Sequence, residues 1–211
     1  MPPQLPTRVQ GIRFPTNAKD LPSLEVEVFL DFCCPFSAKI YKTIMKVHDA
    51  ASEDLKGLQW VVHLVPQPWH PQSPILHEVG LAIREVAGDD AFFAYADLIF
   101  ADGLQTNYFD SETFEMTRKG IYEKILDQAK TAGVVSEEQA ANVLAFVGIE
   151  TGGEEPSNAG NRATGLLKLC VKFHRIRAIH VTPTVLVNGI EAPDVSSGWS
   201  VEQFVEKLRG V

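Results

Sequence analysis

Cysteine occurs three times in this sequence, as Cys33, Cys34 and Cys170, and the first two stand side by side where the chain changes period. Upstream, Leu24-Glu25-Val26-Glu27-Val28-Phe29-Leu30-Asp31-Phe32 is β-branched, partly alternating and then nearly all apolar, the pattern of a strand entering a covered sheet. Downstream, Ile40, Ile44, Val47 and Ala51 fall at i, i+4, i+7 and i+11, one face of a helix. A strand therefore runs into a helix through Cys33-Cys34-Pro35-Phe36-Ser37. Proline suits the first helical position, where its missing N–H would have had no partner, and this places Cys34 at the N-cap. A thiol there meets unpaired backbone N–H groups and the positive end of the helix dipole, both of which favour the nucleophilic thiolate. Cys34 is the candidate nucleophile; the plainer alternative is a small apolar residue closing the helix.

The other chemistry-bearing residues divide between site and scaffold. Vicinal Cys33 and Cys34 would be strained as a mutual disulfide, so they read as separate thiols. Cys33 reads as a buried structural residue, with an unconventional resolving thiol as its alternative, and Cys170 as core packing in a helix. His63, His70 and His77 recur every seven residues, but Pro66, Pro68, Pro71 and Pro74 forbid one continuous helix, and no converging set of metal ligands emerges. No metal is expected. Trp69 and His70 follow the end of the next strand, where ligands bind in open α/β sheets, and are candidates to line a pocket near Cys34, with His70 as a proton donor. Gly152-Gly153-Glu154-Glu155-Pro156 reads as a connector, because its glycines do not follow a strand as a phosphate cradle requires. Phe92, Phe93, Tyr95, Phe100, Tyr108 and Phe109 read as core, some of them reaching towards the cleft.

The elements that position these residues are legible in outline. Residues 1–23 read as a proline-rich extension with an edge strand within Val9 to Phe14. Leu58 to Val65 reads as a second strand, and strand, helix, strand implies a parallel pair with a right-handed crossover. Helices are predicted near 74–87, 89–101, 111–131, 137–147 and 158–178, with a capping box at Ser136 to Gln139. Strand character returns at Val181-Thr182-Pro183-Thr184-Val185-Leu186-Val187, then an Asn188-Gly189 turn and Ile190-Glu191-Ala192, a hairpin. A last helix starts with the Ser200 to Gln203 capping box and carries Val201, Phe204, Val205 and Leu208 on its apolar stripe. The expected division is an extension at 1–23, a sheet domain at 24–72 and 180–211, and an inserted helical subdomain at 73–179.

Strand, cysteine at a helix start, parallel strand, helical insertion, and then Val181-Thr182-Pro183-Thr184 leading a hairpin together resemble the DsbA-like branch of the thioredoxin superfamily. The likeness covers most of 24–208 and implies an α/β, thioredoxin-like fold with a helical insertion. Cys33-Cys34-Pro35-Phe36-Ser37 stands where that family has C-P-x-C, and Thr182-Pro183 where it has its cis-proline loop. By resemblance, Cys34 is the catalytic thiol, while Pro35, Phe36, Thr182 and Pro183 meet the substrate. Ser37 replaces the second cysteine, so the usual disulfide three residues on cannot close; its hydroxyl is a candidate to donate to the Cys34 thiolate. The implied function is a monothiol oxidoreductase acting on a small thiol or protein disulfide, with glutathione as a cosubstrate and no tightly bound cofactor. Kappa-class glutathione transferases and chromene-carboxylate isomerases are similar in architecture, which makes a glutathione-dependent transferase or isomerase the second reading. A redox-inactive binding module is the third.

Composition narrows the setting. With 211 residues and 45% apolar content, the chain suits one elaborated folding unit. Its 19 Lys and Arg against 27 Asp and Glu give a net charge of -8 without a basic run, so nucleic acid is not an expected partner. No stretch approaches the ~20 apolar residues of a spanning helix, and no secretory pattern marks the start. A sparse, odd cysteine count suits a reducing compartment, and a cytoplasmic location is expected. The oligomeric state is left open, a homodimer included.

Overall fold

The computed structural model describes residues 10–15, 24–50, 55, 57–151 and 155–211. Val9, Ala51, residues 152–154 and most of the extension at 1–23 lie outside the described residues. Among the described residues five strands make one mixed sheet: β1 (Ile12–Arg13), β2 (Leu24–Leu30), β3 (Leu58–Leu64), β4 (Thr184–Val187) and β5 (Ile190–Glu191), in the spatial order β1-β3-β2-β4-β5. β2 and β3 are parallel, with Val26 beside Trp60 and Leu30 beside Leu64. Helix α1 (Pro35–Ala50) joins them and buries Ile40, Ile44 and Val47. The hairpin is antiparallel as expected, and Asn188 and Gly189 take φ of 47° and 82°, the positive values that a two-residue hairpin turn demands.

Both faces of the sheet are covered over the second half of β2, where Val26, Val28, Phe29 and Leu30 are all buried. Val26, Val28 and Leu30 join Trp60, Val62 and Leu64 in the main core, while Phe29 packs on the other face with Val65, Ile179 and Leu186. Glu27 shares that second face. Burial opposes its ionisation, but His63 at 2.8 Å and Arg177 at 2.6 and 2.9 Å overcome this and hold the carboxyl down at about 2. The His63 ring stacks between Phe29 and Phe173, with centroids 4.5 and 4.7 Å away.

Between β3 and β4 the chain inserts a helical block: α2 (Ser73–Ala87), α3 (Asp89–Phe100), a 3-10 turn (Gln105–Tyr108), α4 (Asp110–Thr113), α5 (Arg118–Thr131), α6 (Glu137–Val147) and α7 (Thr164–Ile176). Both predicted capping boxes form, at α6 and at α8 (Val201–Arg209). Glu78 of α2 ties the block together, accepting from Arg118 at 2.6 Å, Asn161 at 3.1 Å and the Tyr122 hydroxyl. The sheet meets the block through Phe32, whose ring lies 5.4 Å from both Tyr95 and Phe100.

Three expected boundaries move, each for a local reason. The helix expected over 111–131 is broken, because the Thr117 hydroxyl accepts from Gly120 N at 3.0 Å and so starts α5 afresh. The helix expected from 158 begins at Thr164, since the Asn161 side chain takes the Thr164 N–H at 3.0 Å in a turn of its own. The strand expected from Val181 begins at Thr184: Pro183 has no N–H for a ladder, and the Thr184 hydroxyl bonds back to Val181 O at 2.8 Å.

Burial depresses His63, His77 and His174 below their ordinary 6.5, with Glu27 partly opposing this at His63. The folded chain resists protons that the unfolded chain accepts, so this stability is present above pH 6.5 and is lost as the pH falls. Glu27 adds stability that is lost only towards its folded value of about 2. Urea melts should give a constant unfolding free energy from pH 7 to 8, then a fall of about 1 kcal/mol per pH unit for each histidine still neutral in the fold. An unfolding free energy that stays level down to pH 5 would contradict this reading.

Candidate functional site

The site forms where β2 gives way to α1. After Leu30 the chain turns through Asp31, Phe32 and Cys33, and Pro35 opens the helix, so Cys34 occupies the N-cap and its carbonyl accepts from Ala38 N at 3.1 Å. Cys34 N donates to Asp31 O at 3.0 Å, which tightens the turn. Gln105 of the helical block closes it from outside, donating to Phe32 O at 2.8 Å and Cys34 O at 3.0 Å. The Cys34 sulfur then meets the other half of the sheet: Sγ lies 3.4 Å from the carbonyl oxygen of Thr182, and the Thr182–Pro183 peptide is cis.

Beneath this turn sits a carboxylate fully shielded from solvent. Asp31 Oδ1 accepts from Cys33 N at 2.8 Å and from the Ser73 hydroxyl at 2.6 Å. Its Oδ2 accepts from Gln67 N at 3.1 Å and from His70 Nδ1 at 2.8 Å. Four donors from three segments thus converge on one buried charge, the condition under which such a charge is tolerated. Gln67 extends the network through its side chain to Thr182 Oγ1 at 3.5 Å. Ser73 in turn holds His77, whose Nδ1 lies 2.8 Å from Ser73 O.

The two adjacent cysteines have different surroundings. Cys33 packs in the main core, and burial, with the nearby charge of Asp31, pushes its thiol far above the ordinary range. Cys34 is recessed, 6% exposed, but its sulfur touches a carbonyl oxygen. Cys170 of α7 is partly buried, and burial pushes its thiol up to about 11. The structure supplies no resolving role for either.

Most of the residues singled out from sequence are brought together. Pro35 and Phe36 open α1 beside Cys34, Thr182 touches its sulfur, and Pro183 follows. Phe36, Trp69 and Val181 are exposed at 60%, 58% and 59%, an apolar rim on three segments that carry the site. His70 joins through Asp31, with the Trp69 ring edge-on to it at 6.1 Å. Ser37 differs from expectation in its contacts: it is fully buried, and its Oγ accepts from Asp31 N at 3.2 Å, with no hydrogen bond to the Cys34 sulfur. Among the described residues no group of three or more His, Cys, Asp or Glu could hold a metal ion.

Asp31, Gln67, Ser73 and Gln105 were not singled out by sequence reasoning. Asp31 did carry a signal, a charge in the run Val28-Phe29-Leu30-Asp31-Phe32, since a charge on a buried strand end needs partners. The other three are common polar residues in a loop or at the first position of a helix, and nothing in their spacing sets them apart.

No protein-family model matches the sequence, and no curated protein matches it either. Solved structures do match in shape. A protein-disulfide isomerase candidate from Pseudomonas syringae superposes with a TM-score of 0.70 at 22% identity, covering 94% of this chain and 97% of its own. The fold is thioredoxin-like, of the DsbA type. The reduced disulfide bond oxidoreductase DsbG of Mycobacterium tuberculosis gives 0.61 at 15% identity, over 95% of this chain and 86% of its own. Reduced DsbA of the same organism gives 0.62 at 15% identity, over 95% and 91%. In this DsbA-type fold the helical block lies between β3 and β4, and Gln105 carries it onto the cysteine turn.

The different settings of the three thiols predict a selective reaction. Iodoacetamide at pH 7 should label Cys34 at least tenfold faster than Cys33 or Cys170, whose burial keeps them protonated. Peptide mapping of a partial labelling course checks this, and comparable rates at all three would contradict it.

Proposed function

We propose that this protein is a thiol–disulfide oxidoreductase that works through the single thiol of Cys34. One observation carries the reading: the Cys34 sulfur stands at the N-cap of α1 and touches the carbonyl of Thr182, the residue before the cis proline. A thiolate formed there is met by the helix dipole and by backbone N–H groups of the first turn. It attacks one sulfur of a disulfide in line, forming a mixed disulfide on Cys34 and releasing the other sulfur as a thiolate.

The adjoining surface bears on the substrate. Thr182 offers backbone atoms beside the sulfur, and Phe36, Trp69 and Val181 offer apolar area around it. A peptide disulfide, or glutathione joined to one, has both the backbone and the side chains to use them. No second thiol waits three residues on, because Ser37 stands there and its oxygen is engaged by Asp31 N. Turnover therefore runs through an external thiol, and glutathione is the proposed cosubstrate.

Exposure to oxidised glutathione at pH 7.5 followed by intact mass measurement tests this. The expected product is one glutathione adduct, mapped to Cys34 and absent in Cys34→Ser. Failure to form it, or an equal adduct in the Cys34→Ser protein, would overturn the proposal.

A further inference from the structure

A single-thiol mechanism leaves one step to which no group has yet been assigned. Once Cys34 carries a mixed disulfide, the thiol that resolves it arrives protonated near neutral pH and is a poor nucleophile until it loses that proton. Cys33 is shut in the core, and Ser37 is buried on Asp31 N. The remaining titratable groups around the turn are Asp31, His70, His77 and, across the surface, Asp110, which acts on Cys33 electrostatically. Asp31 is fully buried with four donors on it, and His77 is fully buried on Ser73. His70 is different.

Its side chain keeps 21% of its surface, and its Nδ1 faces a carboxylate oxygen at 2.8 Å. A carboxylate oxygen only accepts, so Nδ1 carries the hydrogen and the neutral ring presents Nε2 as a bare acceptor. Among the described residues Nε2 has no hydrogen-bond partner. Cys34 and His70 are each one hydrogen bond from Asp31, the first through the backbone and the second through the side chain. They are also linked the other way round: His70 N bonds to Gln67 O at 3.1 Å, Gln67 Nε2 reaches Thr182 Oγ1, and Thr182 O touches the Cys34 sulfur. His180, two residues before Thr182, is exposed, and among the described residues no hydrogen bond holds it.

We propose that His70, oriented by Asp31, is the base that deprotonates the thiol resolving a mixed disulfide on Cys34. This rests on the single-thiol reading above. The step balances. His70 Nε2 takes the proton of the incoming thiol, whose sulfur attacks the substrate sulfur of the mixed disulfide. The new S–S bond forms as the bond to Cys34 breaks, and the electron pair leaves on the Cys34 sulfur as a thiolate. The imidazolium then returns its proton to the thiolate released when the mixed disulfide first formed. Across both steps one disulfide and one thiol yield another disulfide and another thiol, and no further oxidant is needed. Asp31 is a positioning residue here, fixing the tautomer and facing the charge that forms on the ring.

The test uses the full chain carrying glutathione on Cys34, resolved by 2-mercaptoethanol, with the rate followed from pH 5.5 to 7.5 in the wild type, His70→Gln and His180→Gln. With the base in place the wild-type rate changes by well under tenfold per pH unit, because the nucleophile is generated by proton transfer to His70 and not drawn from the free thiolate in solution. His70→Gln should lose at least tenfold at pH 6, towards the range typical of general bases, and should then rise tenfold per unit with the free thiolate. Adduct formation from oxidised glutathione should change far less, and the His180→Gln profile should follow the wild type. A His70→Gln profile that overlays the wild type, or a loss confined to His180→Gln, overturns the inference. If the wild-type adduct never forms, the single-thiol reading fails instead, and the two failures are told apart on the same samples.

Discussion

The constraint on which the rest depends is the desolvated charge of Asp31. An ionised carboxylate out of water costs several kcal/mol unless hydrogen bonds replace its hydration. Here the replacement comes from Cys33 N, Gln67 N, the Ser73 hydroxyl and His70 Nδ1, drawn from the cysteine turn, the loop after β3 and the start of α2. The cysteine turn is far in sequence from the continuous stretch Gln67 to Ser73, and each would be free to adopt other conformations. A buried charge that needs all four donors couples them, because a departure by any one leaves the carboxylate short. The cysteine turn is thereby held against the His70 loop with the precision that chemistry at one sulfur requires.

A second coupling joins the sheet to the helical block. Phe32, between Asp31 and Cys33, packs into the aromatic cluster of Tyr95 and Phe100, while Gln105 bonds the carbonyls on either side of Cys33. The block thus does more than enlarge the core, since it clamps the turn through the Phe32 and Cys34 carbonyls. The same arrangement separates two neighbouring thiols by environment. Cys33 points its burial into the main core, and Cys34 reaches the Thr182 carbonyl at the seam with β4.

Much of this was legible from residue order. The change of period at Cys34-Pro35, the two Ser-to-Gln capping boxes and Asn188-Gly189 are local signals, and local physics decides such features. Where the outline failed, a side chain had competed with the backbone pattern: Thr117 restarted a helix, and Asn161 delayed one. The juxtaposition of Cys34 with Thr182 was implied by the resemblance to the DsbA-like branch. The Asp31 network was not, because its members are joined by burial and direction, neither of which spacing encodes. Ser37 illustrates the limit well: its type suggested a donor to the sulfur, and its burial turned it towards Asp31 N instead.

Amide hydrogen exchange at Cys33 and Gln67, the two backbone N–H groups that Asp31 holds, measures the central coupling directly. In the wild type both should be protected to within about tenfold of the central amides of β2 and β3, although they lie in a turn and a loop, and in Asp31→Asn they should lose that protection together. Exchange at the rate of free loop amides in the wild type, while the strands stay protected, would contradict the account.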